Sequence, residues 1–404
     1  MNLPDNFTTF STSSIEDDPI EALVRQGAKI MLQAALEAEV NDFLQRQSHQ
    51  RTNPNTDFRG YRNGSAKERN LTFGSGTIKI KAPRVCDVPA NQQPFASHIL
   101  KPYQRRSQTL SQVFPNLFIE GLATRDFEPA LRCLPGSEAA LSPSTISRLN
   151  AQFKQEYEDW QKSSLAALPI VYVWVDGIYL KAGLGDERAC LLVILGVDVS
   201  GRKHLLALEE GFRESKESWL ALLRRLKAPG MNEPALAIGD GALGFWAAAS
   251  EVWPLTRQQR CWLHKVRNIL DKLPRRERAE AAKSLRAIYL SASREEARQK
   301  VMVLARSWRG LYDKAAECLL DDLERMLTFY DYPQEHRRHL RTTNPIESVF
   351  ASVRLRTNAM KRLRSGRSGV HIIYQLLKRQ EKKWQRISSA EKLRTVTLPS
   401  KLAM

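Results

Sequence analysis

The sequence has no hydrophobic run long enough to cross a membrane. A spanning helix needs about twenty mostly apolar residues, and the longest run here extends only from Leu165 to Val175. Residues 1–18 are polar and acidic, without the basic start and apolar stretch of a secretory signal. We therefore expect a cytoplasmic protein that has no membrane partner.

Cysteine is scarce, with five residues in a chain of 404. The five are scattered and odd in number, which argues against a disulfide framework and predicts reduced thiols. They are Cys86, Cys133, Cys190, Cys261 and Cys318. A chain of this length is expected to form about two to four domains, so its capacity to bury a core is not limiting.

Positive charge is abundant, with a formal net charge of +18. A polyanion gains affinity from many Lys and Arg contacts through counterion release, so nucleic acid is the first candidate partner. Residues 331–404 hold 17 Lys and Arg against 5 Asp and Glu. A lone basic run is most often a solvated face or a flexible tail. The cations of this run that alternate with apolar residues include Arg354, Arg356, Lys361, Arg362 and Arg364.

Two short apolar runs end in the same Asp-Gly dipeptide, at Asp176 and at Asp240. A buried carboxylate is costly unless it is paired or binds a metal, and a third candidate acid, Glu347, lies far downstream. Three such acids predict a site for Mg2+ or Mn2+, because these ions favour oxygen ligands. Beside such a site, the basic run favours a track that binds the phosphate backbone of a nucleic acid.

Each acid also has a purely structural interpretation. Asp176 and the glycine after it suit a two-residue hairpin turn, and Asp240 suits a turn or a helix cap. Glu347 is the third residue of a predicted helix in which Asn344 is the cap and Pro345 comes first, a position where Glu can complete a capping box. These interpretations leave the repeated strand-to-acid pattern and the C-terminal charge unexplained.

The middle of the chain predicts a mixed α/β fold. Three consecutive strands with short links imply antiparallel pairing, and the strand–helix units after them complete a mixed sheet covered by helices. Asp176 and Asp240 meet at the carboxyl ends of their strands if these strands are parallel neighbours. The predicted strands are 171–180, 190–199, 203–209, 235–238 and 255–258, and the predicted helices are 217–226, 243–252, 261–273, 276–288, 294–308 and 312–329.

The N-terminal region predicts one amphipathic helix and one basic hairpin. Residues 20–44 carry apolar side chains at helical spacing, which suits either core burial or dimerisation. Residues 70–73 and 77–81 alternate around a Gly-Ser-Gly turn, with Lys79 and Lys81 on one face. Residues 104–162 look helical, and 121–153 suit either a helix-turn-helix or an ordinary helical pair.

The chain resembles the Mutator-type transposases of bacterial insertion sequences over nearly its whole length. Any one motif is weak, but their order and spacing are specific. The motifs are Gly60-Tyr61-Arg62-Asn63-Gly64, Lys81-Ala82-Pro83-Arg84, Gly121-Leu122-Ala123-Thr124-Arg125, Asp176-Gly177-Ile178-Tyr179-Leu180-Lys181, Gly239-Asp240-Gly241, Gln259-Arg260-Cys261-Trp262-Leu263-His264-Lys265-Val266-Arg267-Asn268 and Thr342-Thr343-Asn344-Pro345-Ile346-Glu347-Ser348.

The resemblance implies a ribonuclease-H-like mixed sheet with helices on both faces, interrupted by an all-helical insertion, and a catalytic triad of Asp176, Asp240 and Glu347. It implies a site for two Mg2+ or Mn2+ ions that cleaves DNA and joins the freed 3′ end to a target. The N-terminal region, mainly helical, would bind the terminal inverted repeats of the element. A homodimer or higher oligomer on double-stranded DNA is expected. The N-terminal candidate contacts with DNA are Arg62, Lys79, Lys81 and Arg84.

The resulting division of the chain has six parts. We expect a disordered tail at 1–18, the helix and basic hairpin at 19–103, a helical DNA-binding region at 104–165, the first part of the catalytic domain at 166–274, the helical insertion at 275–341, and the last part of the catalytic domain at 342–404.

Cys261 and His264 form half of a zinc motif, and His336 with His339 would be needed to complete it. Half-motifs are common by chance, so zinc is not the favoured interpretation. The resemblance implies a supporting role for the pair near the active site. Two other functions remain open, a metal-dependent nuclease or resolvase that cuts without joining, and a transposase-derived regulator that has lost catalysis.

Overall fold

The chain forms two compact units, Met1–Ser147 and Arg148–Met404. The computed structural model describes residues 18–47, 49–51, 58–120, 143–181, 188–211, 213–241, 244–359 and 366–396. Residues 1–17 of the predicted tail, most of the predicted helix-turn-helix and Lys361, Arg362 and Arg364 lie outside these residues.

The first unit combines helices with two small antiparallel sheets. Strand β1 pairs with β4, and β2 pairs with β3. Its core consists of Leu36, Leu71, Ile78, Ile80 and Leu100. The elements are α1 Pro19–Leu44, β1 Tyr61–Ser65, β2 Arg69–Phe73, β3 Gly76–Ile80, β4 Pro83–Cys86 and α2 Gln108–Ile119.

The predicted N-terminal helix and basic hairpin are both present, but only the C-terminal half of the helix buries its apolar side chains, since Ile20 and Met31 are exposed. Helix α1 begins just after Asp18, whose carboxylate accepts a hydrogen bond from the Ile20 N–H (3.0 Å). The N–H groups in the first turn of a helix have no acceptor within the helix, so this side chain supplies one. In β3 the side chains alternate, so that Ile78 and Ile80 are buried while Lys79 is exposed.

The second unit is built on a five-stranded mixed sheet with the strand order β7-β6-β5-β8-β9. Strands β5, β6 and β7 are antiparallel neighbours, whereas β8 is parallel to β5 and β9 is parallel to β8. The predicted mixed sheet is therefore confirmed. The strands are β5 Ile170–Lys181, β6 Arg188–Asp198, β7 Lys203–Gly211, β8 Leu236–Gly239 and β9 Arg257–Arg260.

Helices make up most of the remainder of the second unit. They are α3 Pro143–Lys162, which begins in the first unit, α4 Lys216–Lys227, α5 Phe245–Val252, α6 Trp262–Leu270, α7 Arg278–Tyr289, α8 Arg294–Trp308, α9 Asp313–Leu320, α10 Leu323–Met326, α11 Gln334–Leu340, α12 Asn344–Ala359 and α13 Gly366–Glu381, with short 3-10 helices at Thr328–Asp331 and Ala390–Thr395.

Helices cover both faces of the sheet. Val173 and Val175 of β5 belong to the core cluster that includes Trp219 of α4 and Phe245 of α5. The alternate side chains of β5 point the other way, where the Trp174 indole N–H donates to the carbonyl of His339 in α11 (3.0 Å). Because helices cover both faces, the side chains on both sides of β5 are apolar. This explains the continuous hydrophobic run in the sequence.

Two local predictions are wrong. Asp176 and Gly177 do not form a hairpin turn, because both lie inside β5 and pair with β6. The predicted helix at 312–329 is broken, since Asp322 adopts a left-handed conformation (φ 60°) between α9 and α10. A non-glycine residue at positive φ cannot continue an α-helix.

Among the described residues, no helix is long and apolar enough to span a membrane. The four cysteines in these residues, Cys86, Cys190, Cys261 and Cys318, are free thiols.

Replacing Gln259 by Leu is expected to destabilise the second unit by about 1–3 kcal/mol, because the Phe329 N–H loses its buried acceptor. Gln259 is fully buried, its Oε1 accepts from Phe329 (2.7 Å), and its Nε2 donates to the Met326 carbonyl (3.0 Å). Urea unfolding measures the effect. Gln299→Leu on the exposed side of α8 is the matched control, and equal midpoints for the two variants would contradict the prediction.

Candidate functional site

The pairing of β5 with β8 places Asp176 beside Asp240. Trp174 pairs with Ile238 in this parallel ladder, and each aspartate lies two residues further along its strand direction. Side chains two residues apart point to the same face, so both carboxylates lie on the side of the sheet that α11 covers. Asp176 lies inside β5, as in the predicted strand 171–180, although the apolar run ends there; β8 ends at Gly239, just before Asp240.

The glycine of each Asp-Gly pair makes room for a charged side chain. A Cβ atom at Gly177 would collide with the carboxylate of Glu214, and one at Gly241 would collide with the guanidinium of Arg260. Each glycine N–H also donates to the aspartate before it, at 2.8 Å for Asp176 and 2.5 Å for Asp240. The glycine of each Asp-Gly pair is therefore required by the close packing of a neighbouring charged side chain.

Glu347 enters the site from the first turn of α12. The helix begins at Asn344, so Glu347 is its fourth residue rather than the third. Thr343, just before the helix, donates its hydroxyl to Glu347 Oε1 (2.7 Å) while its N–H donates to Cys261 Sγ (3.3 Å). In the expected capping box Glu347 would accept from the N–H of Asn344, but that N–H donates to the Thr342 hydroxyl (3.5 Å). The capping-box interpretation is therefore wrong, and Thr343 instead orients the Glu347 carboxylate.

Cys261 and His264 meet the start of α12. Cys261 is fully buried, and its sulfur also lies 3.2 Å from the Thr343 hydroxyl oxygen. His264 Nε2 lies 3.7 Å from Glu347 Oε1. One potential ligand atom from each of Cys261, His264 and Glu347 lies within 4.8 Å of the others, so the pair sits directly against the third acid.

The other half of the proposed zinc motif lies elsewhere. Both ring nitrogens of His336 are engaged, with the Tyr172 hydroxyl (3.1 Å) and the Ser389 carbonyl (3.1 Å). His339 Nε2 lies 3.1 Å from the Ser388 hydroxyl. The two histidines therefore anchor α11 between the sheet and the C-terminal segment, and they do not join Cys261 and His264 in a four-ligand zinc site.

The charges of the site act strongly on one another. Burial raises the pKa of Asp176 to about 7, the Gly177 N–H and His264 oppose this rise, and the carboxylates of Glu214 and Glu347 add to it. The pKa of His264 rises to about 9 because of its contact with Cys261, against the effect of burial and with help from the carboxylates of Asp240 and Asp176. At neutral pH the imidazolium of His264 is thus the cation that faces the acids.

No Lys or Arg side chain lies within ion-pair distance of Asp176, Asp240, Glu214 or Glu347 in the part of the chain that the structure describes. This is unexpected in a chain with a formal net charge of +18, because basic side chains are available for almost every acid. Carboxylates that have no Lys or Arg partner and face only the imidazolium of His264 are suited to bind an external cation.

Two residues of the site were missed in the sequence. Glu214 follows β7 and lies close enough to raise the pKa of Asp176; an acid shortly after a predicted strand was the signal, as for Asp240. Thr343 orients Glu347 and contacts Cys261. Its role depends on a contact across 82 residues, which no local pattern reveals.

The predicted basic contacts are spread over both units. In the first unit Lys79, Lys81 and Arg84 are exposed, whereas Arg62 is half-buried and forms an ion pair with Glu37. In the second unit Arg354 is exposed on α12, seven residues after Glu347. Arg356 lies in the same helix, and its side chain is not among those described.

Asp176→Asn is expected to stabilise the cation-free protein at pH 8 by about 1–4 kcal/mol. The folded-state pKa is raised from 3.8 to about 7, so folding disfavours the charged form. This cost is absent below the unfolded-state pKa, grows as the pH rises, and is complete above about 7. The gain should therefore shrink when thermal unfolding in EDTA is measured at pH 5 instead of pH 8.

Asp198→Asn is a control for which the opposite change in stability is expected. Burial acts to raise the pKa of Asp198, but hydrogen bonds from Ser200, His204 and Arg202 lower it, so the ionised form stabilises the fold above the unfolded-state pKa. This variant should lower the melting temperature at pH 8. If the melting temperature of Asp176→Asn at pH 8 is at or below that of the unmodified chain, the ionised Asp176 carboxylate does not destabilise the fold and the prediction is wrong.

Comparison with known proteins finds relatives over most of the chain. The profile of the transposases of the Mutator family matches residues 5–387. The transposase for insertion sequence element IS6120 of Mycolicibacterium smegmatis is 46% identical over 280 residues, which cover 69% of this chain and 87% of the relative. The transposase for insertion sequence element IST2 of Acidithiobacillus ferrooxidans is 44% identical over 268 residues, 66% of this chain and 90% of the relative. A more distant relative, the transposase for insertion sequence element ISRM5 of Rhizobium meliloti, is 28% identical over 364 residues, 89% and 88% of the two chains. The chain belongs to the Mutator family of transposases.

Proposed function

We propose that this protein is the transposase of an insertion sequence. It binds the terminal inverted repeats of its element, cleaves DNA phosphodiester bonds with the help of divalent cations, and joins the freed 3′-hydroxyl to target DNA. Family membership and the names of the relatives support the transposase role. The proposal assigns the catalytic role to Asp176, Asp240 and Glu347.

One observation carries this assignment. The register of β5 and β8 puts Asp176 level with Asp240, the charge of Glu347 reaches Asp176, and none of the three acids has a Lys or Arg ion pair in the described residues. The ionised form of Asp176 is destabilised here, because burial and the neighbouring carboxylates raise its pKa to about 7. A fold does not keep such a repulsive group for its own stability, so the group is best explained by a bound cation.

The donor set fits a hard divalent cation. Carboxylate oxygens are the ligands that Mg2+ and Mn2+ prefer, and the nearby thiol of Cys261 is already engaged with Thr343. Two such cations, when bound, activate the attacking oxygen and stabilise the leaving oxygen of a phosphodiester. Thr343 holds the Glu347 carboxylate in place, and His264 faces the acids with its own positive charge.

The sheet topology supports a ribonuclease-H-like catalytic domain. Three antiparallel strands are followed by two parallel ones in the order β7-β6-β5-β8-β9. Helices α7 to α11 occupy most of the chain between Asp240 and Glu347, which agrees with an all-helical insertion. In this assignment Asp176 and Asp240 come from the sheet, and Glu347 comes from the first helix after the insertion.

The basic surface of α12 is proposed to hold the DNA backbone. Arg354 follows Glu347 by seven residues, so both lie on the same side of the helix, about 10 Å apart along its axis. A phosphate bound by Arg354 would bring the duplex to the acids. The basic residues of the first unit, Lys79, Lys81 and Arg84, are proposed to contact the inverted repeats.

From the family membership we propose a homodimer or higher oligomer on double-stranded DNA. A DNA-acting enzyme of this kind would work in the cytoplasm, on the nucleoid.

Asp240→Asn is expected to abolish cleavage of labelled element ends in Mg2+ or Mn2+, by at least about a thousandfold, because an amide cannot replace the negative charge at the site. Sequencing gels of the purified protein with labelled ends measure both cleavage and joining. Asp159→Asn, an exposed aspartate of α3, is the matched control and should cleave normally. Unchanged cleavage by Asp240→Asn would refute the catalytic assignment.

The same assay separates the alternative functions. Donor 3′ ends joined to a second duplex support transposition. Cleavage without any joined product would favour a nuclease or resolvase. Binding of the inverted repeats without cleavage would favour an inactive regulator.

Neutralising Arg354, Arg356 and Arg362 together should reduce the slope of log K against log[salt] for DNA binding by about 2 to 3, because each phosphate contact releases about one counterion. Fluorescence anisotropy with labelled duplex at several salt concentrations gives the slope. The control neutralises three exposed cations of the helical region, Arg275, Arg276 and Lys283, and should leave the slope unchanged. Equal slopes for all three proteins would make the C-terminal run an ordinary solvated surface.

A further inference from the structure

The segment between β4 and α2 presents an aromatic ring to solvent. Tyr103 is 93% exposed, more than any other large hydrophobic side chain of the described residues. A single exposed hydrophobic residue is ordinary on a protein surface and needs no explanation by itself. What is unusual about Tyr103 is its backbone conformation, the hydrogen bonds that hold its turn and the charge of its neighbours.

The backbone of Tyr103 adopts a conformation that suits glycine. The Lys101 carbonyl accepts from the Gln104 N–H (3.1 Å), which closes a tight turn. Its two central residues are Pro102 and Tyr103. A proline followed by a residue at positive φ is the pattern of a type II turn, whose second central residue is normally Gly or Asn. Tyr103 occupies that position with a φ of 61°. The turn thus keeps an aromatic ring at its tip although glycine would fit the backbone better.

Hydrogen bonds brace the turn on both sides. The Lys101 N–H donates to Gln104 Oε1 (3.1 Å), and Gln104 Nε2 donates to the Arg106 carbonyl (2.9 Å). The residues that follow extend the sheet of the basic hairpin, because the Thr72 N–H of β2 donates to the Arg105 carbonyl (2.9 Å). The tip is therefore fixed to the edge of the sheet formed by β2 and β3.

Basic side chains surround the turn. Lys101 and Arg105 are exposed, two residues before and two residues after Tyr103. The Arg69 guanidinium donates to the Lys101 carbonyl (3.4 Å), and burial together with the charge of Arg105 lowers the pKa of Arg69. In the described part of the chain, none of these three cations forms an ion pair with an acid. A cluster of cations without a protein counter-charge suits a polyanion.

The turn lies at the same end of the sheet as one of the proposed contacts with the inverted repeats. Arg69, whose side chain reaches the turn, pairs with Ile80 across β2 and β3. The exposed Lys81 is the next residue after Ile80. Lys81 and the Tyr103 turn are therefore both located where β2 begins and β3 ends, so one DNA duplex can contact both.

We propose that the turn of residues 101–104 is a DNA-binding element in which the Tyr103 ring stacks on a base of the terminal inverted repeat. The inference rests on the proposed function, because it assumes that the first unit contacts this DNA. The base faces of a closed duplex are covered by their neighbours, so the ring parts one base step. Lys101 and Arg105 bind the phosphates on either side of that step.

Binding of labelled element ends by the purified full-length protein tests the proposal. Tyr103→Gly removes the ring and suits the positive φ. It should unfold at a urea concentration no lower than the unmodified protein does, and yet bind the element ends about tenfold or more weakly. Tyr103→Phe keeps the ring and should bind within about twofold of the unmodified protein.

The matched control is Met31→Ala, which truncates an exposed side chain of α1 in the same unit and should bind the element ends normally. Equal binding by Tyr103→Gly and the unmodified protein would overturn the role of Tyr103 and leave the proposed function intact. Absence of specific binding by the unmodified protein would overturn both.

Salt dependence and base fluorescence separate stacking from charge. Tyr103→Gly should leave the slope of log K against log[salt] unchanged, whereas Arg105→Gln should reduce it by about 1. 2-Aminopurine, placed at successive positions of the inverted repeat, should change its fluorescence at one base step when the unmodified protein or Tyr103→Phe binds. Tyr103→Gly should not produce this change. The same change with Tyr103→Gly, or no change at any position with the unmodified protein, would overturn the proposal.

Discussion

The register between β5 and β8 is the constraint on which the site depends. A shift of one residue would turn Asp240 to the opposite face of the sheet, away from Asp176. Burial on both faces prevents such a shift, because Val173 must enter the cluster with Trp219 while Trp174 must reach the carbonyl of α11. The apolar strands therefore do more than stabilise the second unit. They set the positions of Asp176 and Asp240 at the same level of two neighbouring strands.

The third acid is held by a different kind of contact. Glu347 belongs to a helix, and a helix can slide or rotate where a hydrogen-bonded strand cannot. The sulfur of Cys261 bonds to Thr343 immediately before α12, and the Trp262 N–H donates to the Arg341 carbonyl (2.9 Å). These contacts join the start of α6 to the start of α12. The Cys-x-x-His motif thus acts as the attachment point of the Glu347 helix, with His264 as its neighbouring charge.

Much of the sheet could be predicted from the sequence, because strands buried on both faces leave continuous apolar runs such as 171–175. The positions of Asp176 and Asp240 followed from the same runs. What the sequence did not reveal depends on contacts between distant segments. Glu214, like Asp240, follows a predicted strand, but its packing against Gly177 depends on a contact between distant segments. The break at Asp322 also had no signal, since apolar spacing continues across it.

The helices between Asp240 and Glu347 have a consequence for biosynthesis. The chain must traverse 106 residues after the second acid before it reaches the third, and contacts of such long sequence separation form late in folding. Under the proposed assignment, a nascent or truncated chain that ends before α12 lacks the third of the three catalytic acids.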